Sequence, residues 1–232
     1  MTTFDPETAE IKFAIAESAT DLYVEAEGQF YIRDVAKAAE IDPGEVFDYF
    51  PNKQAILQYY YTMLVYRYRM MIEEIEQFDS YTLSEKLSNF AYTSFDMLHQ
   101  KEAFVQATFK ELILCSYSKT DFEKEIEYLI EDFLEQDDRL SASSEMIRNG
   151  YFNTFLKHKY LKLVHFWLAD DSTDRELSME LTDKLTNFLQ ELMYNTMADQ
   201  GFELAKFLYA NKKEFLDRIP IINQLFSKIE IR

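Results

Sequence analysis

Four residues near the start of the chain carry groups suited to a phosphate backbone: Arg33, Lys37, Tyr49 and Lys53. Guanidinium, ammonium and phenol groups donate to phosphate oxygens, and each cation that neutralises a phosphate gains affinity by releasing counterions. Between them stand the carboxylates Glu45 and Asp48, whose chemistry is opposite. A carboxylate repels phosphate, but it accepts a hydrogen bond from the cytosine amino group in the major groove. The first 60 residues hold four basic residues against twelve acidic ones, a balance of −8. Contact with nucleic acid through this segment is therefore expected to be weak, selective or assisted by a partner.

Other chemistry finds little support. His158 and His165 share a helix face but stand about two turns apart, too far for one metal. Cys115 lies among apolar residues and is expected to be a buried packing residue, not a nucleophile. The pairs Glu73-Glu74, Asp137-Asp138 and Asp170-Asp171 read as solvated surface or helix ends. There is no Gly-rich phosphate loop and no G-x-S-x-G elbow. In "YYYTMLVYRYRMM" the stems of Arg67 and Arg69 either lie along packed tyrosines or face a ring as cations. No enzyme activity, metal or cofactor is expected.

Composition then limits the scaffold that positions these groups. The chain has 232 residues, 47% of them hydrophobic and 16% aromatic, enough for one large domain or two small ones. Only 4 Gly and 4 Pro occur, too few for many tight turns, so an all-α fold is expected. The net charge of −18 favours solubility and opposes non-specific binding to nucleic acid or anionic membrane. One cysteine excludes an intramolecular disulfide framework and suits a reducing cytoplasm. "MTTFDPETAE" has neither the basic nor the apolar region of a signal peptide, and no apolar run is long enough to span a bilayer. A cytoplasmic chain with no membrane contact is expected.

The helices follow from periodicity and caps. Asp5-Pro6-Glu7 opens the first, with apolar residues at Ile11, Ile15, Ala19 and Leu22, and Gly28 suits the position past its end. A second runs from about Ile32 to Glu40, and Pro43 opens a short third through Phe50. Asn52 caps a long fourth, Lys53 to about Phe78, whose apolar stripe runs from Leu57 to Ile75. Capping-box patterns at Thr82–Glu85, Thr120–Glu123 and Thr173–Glu176 announce three more starts. A helix is expected from about Ser143 to Leu168 with a bend near Gly150, another from Thr173 to Met197, and two short ones around Gly201 and Pro220.

The stretch Ile11 to about Leu57 resembles the N-terminal part of the TetR family of transcriptional regulators. Ile32-Arg33-Asp34-Val35-Ala36-Lys37-Ala38-Ala39-Glu40-Ile41 follows the family's second helix. Gly44-Glu45-Val46-Phe47-Asp48-Tyr49-Phe50-Pro51-Asn52-Lys53 follows its recognition helix and exit, with order and spacing intact. Four positions depart from the usual pattern: Tyr31 replaces a hydroxyl cap, Glu40 a glycine, Glu45 a small hydroxyl residue and Phe47 a tyrosine. The resemblance implies a helix-turn-helix DNA-binding domain over residues 1–52 and a helical effector-binding and dimerisation domain over 53–232. It implies a DNA contact set of Arg33, Lys37, Gly44, Glu45, Phe47, Asp48, Tyr49 and Lys53. Phe47 and Phe50 also suit packing.

For the body, the resemblance implies a small apolar or amphipathic effector held between helices, and a homodimer built from two helices per subunit. Phe95, Leu98, Phe104, Phe109, Phe133, Phe152 and Phe155 are the pocket candidates, although aromatics at helical spacing also build core. Two functions stay open: a one-component regulator that binds operator DNA, and a chain of the same fold that binds a lipid-like ligand or a protein partner and not DNA.

Overall fold

The computed structural model describes residues 6–141, 144 and 150–195. The Asp5 cap, the Ser143 start, the Met197 end and the two short helices around Gly201 and Pro220 lie outside the described residues. Within them the chain is all-α. The helices are α1 (Pro6–Glu25), α2 (Ile32–Ala38), α3 (Val46–Tyr49), α4 (Lys53–Glu73), α5 (Leu83–His99), α6 (Glu102–Phe109), α7 (Asp121–Glu135), α8 (Gly150–Ala169) and α9 (Glu176–Tyr194). None of the described helices is long and apolar enough to cross a membrane.

Local chemistry explains most boundaries. α1 ends as expected, with Gly28 at φ +88° donating its N–H to the Tyr23 carbonyl at 2.7 Å. Asn52 caps α4 by accepting from the Ala55 N–H at 2.9 Å. Both bonds of a capping box are present at Thr82–Glu85 and at Thr120–Glu123. The third box does not form. Asp174 and Arg175 take left-handed φ values of +51° and +56°, so Thr173 cannot face the first turn of α9. Asp170 replaces it, its carboxylate accepting from the Ser178 N–H at 2.8 Å while Ser172 Oγ accepts from Leu177 N–H. The Arg175 guanidinium lies 4.0 Å over the Trp167 ring and pairs with Glu102, which holds that turn in place.

α4 is the axis of the molecule. α1 packs on it from the head, α5 and α7 from the body, so it is buried nearly all round: Ile56, Tyr60, Tyr61, Met63, Leu64, Val65 and Tyr68 are all covered. The single stripe expected from the sequence is thus too narrow, and its last member on the helix, Met71, is exposed. Head and body share one continuous core. α7 then packs on α8, and α5 on α9.

Candidate nucleic-acid interface and effector cleft

The head is built by α1, α2 and α3, with Val35, Ala36, Val46 and Phe50 buried beneath the two short helices. α3 is short because its front is wound tightly: Glu45, Phe47 and Asp48 donate to carbonyls three residues back. Two carboxylates are consumed there. Asp42 Oδ1 accepts from the Gly44 N–H at 2.7 Å, and Glu45 Oε2 reaches back to the Asp42 N–H at 3.4 Å. Glu45 therefore braces its own turn. Asp48 is exposed and makes no ion pair among the described residues. Phe47 is 58% exposed, so it is not the packing residue its type suggested, whereas Phe50 is. Tyr49 is half-buried against the core.

Of the cations, Arg33 and Lys37 project from one face of α2 into solvent, Arg33 lying 3.4 Å from Asp34. Lys53 is exposed, but its ammonium donates to the Phe30 carbonyl and lies 4.9 Å over the Phe30 ring. It ties the start of α4 to the start of α2 and has donors left for a phosphate. Lys12 lies 5.6 Å over the Tyr59 ring. Two of the twelve acids face the body: Glu17 pairs with Arg67 at 2.7 Å, and Asp21 with Lys101. Tyr23 meets Phe104 edge-on at 5.6 Å. Together these contacts link α1 to α4 and α6. Arg69 pairs with Asp132 at 2.6 Å, so both arginines of the tyrosine-rich stretch are ion-paired, and Arg67 also faces the Phe13 ring.

The pocket candidates fall in two groups. Phe95, Leu98, Phe104, Phe109 and Phe133 are buried core residues. Phe95 stacks on Trp167 at 5.2 Å, Phe104 on Tyr61 at 5.9 Å, and Phe109 meets Tyr61 at 5.7 Å. Phe133 also lines a cleft of about 350 Å³ beside Arg69 and Asp132. Phe152 is half-buried and Phe155 exposed on α8.

A second cleft, of about 380 Å³, opens between α7, α8 and the loop after α6, and it was not foreseen. Ile113 and Leu114 line it from the end of the turn Lys110–Leu114, which is closed by a Cys115 N–H bond to the Lys110 carbonyl five residues back. Lys157, 3% exposed at its side chain, donates to Glu123 Oε1 at 2.7 Å and stands 3.6 Å from Glu127 Oε1. Burial pushes the Glu123 carboxyl up, but the Lys157 ammonium and the Thr120 N–H outweigh it and leave it below the ordinary range. The Thr120 capping box marked Glu123 in the sequence. Nothing marked Lys157, 34 residues away, as its partner. Cys115 sits beside this cleft and is exposed, contrary to expectation, because the chain turns away from the core there. Asp137 reverses in the other sense: its carboxylate is buried, accepting from Arg139 at 2.7 Å and from Tyr194.

Residues 86–208 match the family profile described as Tetracyclin repressor-like, C-terminal domain. A TetR transcriptional regulator from Nitrosomonas europaea ATCC 19718 has a similar structure, with a TM-score of 0.52 and 17% identity, over 79% of this chain and 98% of that one. A TetR transcriptional regulator from Rhodococcus sp. RHA1 gives 0.50 and 16%, over 79% and 98%. A structure solved as the molecular basis for control of antibiotic production by bacterial hormones gives 0.51 and 18%, over 83% and 100%. At such identities the likeness is one of fold. Comparison with curated protein sequences finds no match.

Proposed function

This chain belongs to the TetR family of transcriptional regulators, and from that membership we propose that it is a dimeric one-component regulator acting in the cytoplasm. The helix pair α2 and α3 reads DNA, and the body senses a small molecule. The observation that carries this reading is the head itself. Arg33, Lys37, Phe47 and Asp48 are exposed on adjacent helices, while Asp42 and Glu45 are turned onto their own backbone. Those two carboxylates keep their charge but are held to their own turn, and Asp48 stays available to a cytosine amino group.

A second copy fits the face of α8 and α9. Phe155 and Phe166 on α8, and Leu177, Leu185, Phe188 and Leu192 on α9, are exposed at helical spacing. Such a stripe needs a partner, and a two-fold dimer places two reading heads on a palindromic site. Ligand binding then shifts the population between dimers with different head spacing. The contacts of Glu17, Asp21 and Tyr23 with the body give that shift a path to α1.

One observation favours the alternative, a chain of this fold that binds a ligand or protein partner without DNA. Lys12 and Lys53 are partly engaged within the head and Arg33 lies beside Asp34, which weakens the positive face the head offers to phosphates. Selection from a random DNA pool at low and moderate salt separates the two. The regulator enriches a palindrome, and Lys37→Ala lowers the salt slope of its binding by about one. A pool with no enriched sequence at either salt overturns the DNA-binding reading.

A further inference from the structure

The cleft beside the loop 115–119 holds two ammonium groups, Lys119 and Lys157, and two carboxylates, Glu123 and Glu127. Its charges balance, yet its hydrogen bonds do not. Glu127 Oε1 is buried and accepts no hydrogen bond. The other Glu127 oxygen pairs with Lys119, which reaches it from the solvent side. Lys157 is directed to Glu123. Lys157 Nζ stands 3.6 Å from Glu127 Oε1, close enough to pair in charge but too far for a hydrogen bond. The group short of a hydrogen bond is thus an acceptor, and a buried acceptor in that state favours a donor. Apolar side chains of Ile113 and Leu114 border the same space, and Tyr117 at its mouth is fully exposed.

We propose that this cleft binds a small organic amine with a short apolar body. The ammonium donates to both Glu127 oxygens, meeting Oε1 and replacing Lys119 at Oε2; Lys119 returns to water, so the charge inside the cleft is unchanged. Charge-assisted bonds of this kind are roughly twice as strong as neutral ones, which ranks an amine above an alcohol. A carboxylate would meet Glu123 and Glu127 without an unmet donor to receive it. The body of the ligand lies against Leu114, with Tyr117 beside it at the mouth. A volume of about 380 Å³ suits a molecule of that size. The net charge of −18 raises the local concentration of cations and lowers that of anions. The turn that carries Ile113 and Leu114 is also tied to α4, since the Leu112 carbonyl accepts from Gln58 at 2.9 Å.

This proposal rests on the reading of the chain as a ligand-sensing regulator and names its effector class. The test uses the full chain with an environment-sensitive fluorophore on Cys115, its single cysteine, titrated with hexylammonium, hexanol and hexanoate at matched ionic strength. Hexylammonium is expected to give a saturable signal, hexanol a weaker one and hexanoate none. Glu127→Gln is expected to weaken hexylammonium binding at least ten-fold. Thr154→Trp, which fills the cleft and keeps every charge, is expected to abolish it with the melting temperature retained. No saturable response to hexylammonium, equal binding of hexanoate, or unchanged affinity in both variants overturns the site. The titration contains no DNA. A chain that binds the amine but enriches no operator overturns the DNA-binding reading alone, and one that enriches an operator but ignores the amine overturns this site alone.

Discussion

At the scale of single residues, two positions carry costs that the rest of the molecule offsets. Glu40 ends α2 at φ +58°, where the Ile41 N–H bonds the Ala36 carbonyl at 3.0 Å in the manner of a glycine-terminated helix. A side chain with a Cβ is strained in that region. Glu40→Gly is expected to raise stability by up to about 1 kcal/mol, seen as a higher melting temperature, after allowance for glycine's greater unfolded entropy. Lys157 is the other case. Its ammonium is buried with Glu123, and removing one partner leaves the other charge uncompensated. Lys157→Ala should cost about 3–5 kcal/mol in urea unfolding, and Lys157→Met combined with Glu123→Gln, whose amide oxygen can still accept from the Thr120 N–H, should recover part of it. The Glu40 strain was legible, because one position departs from a family pattern. The Lys157 pair was not, because nothing local to either residue names the other.

At the scale of elements, caps decide where helices begin, and the structure ranks them. Thr120 makes both bonds of its box, so Thr120→Ala should cost about 1 kcal/mol. Thr173 makes no cap bond, and Thr173→Ala should leave the unfolding midpoint unchanged. The cap carboxylates also set an acid limit. The Thr82 N–H and hydroxyl hold Glu85 below the ordinary glutamate value of 4.5. The hydroxyls of Ser172 and Ser178 hold Asp170 below the ordinary aspartate value of 3.8. Glu123 is depressed too, by Lys157 and the Thr120 N–H against burial. Groups with depressed folded pKa values give stability that is complete above the unfolded value and lost as pH falls through the folded one. Equilibrium stability of the chain should therefore be insensitive to this set above about pH 5 and fall steadily below about pH 4. Asp170→Asn should reduce that acid dependence.

At the scale of the whole molecule, α9 carries a stripe of exposed apolar side chains among the described residues. Phe188 is 64% exposed, far more than a large aromatic with no partner would favour. Phe188→Glu should convert a dimer to a monomer in sedimentation and abolish binding to a palindromic site while the helical content stays the same. The sequence by itself determined most of the described helices, though not Glu102–Phe109 or the end of α4 at Glu73, together with two of three capping boxes, the order of the first three helices and the all-α class. Each of these depends on hydrogen bonds and side-chain periodicity within a few residues, which one chain displays directly. Tertiary structure decided which aromatics are core, which carboxylates are turned inward, and where the clefts lie. The pairs that decide these matters join residues 34, 63, 73 and 80 positions apart: Lys157 with Glu123, Arg69 with Asp132, Arg175 with Glu102, and Lys101 with Asp21. Residues so separated meet only when helices pack, and packing geometry follows from the shape of the whole core, not from any local pattern.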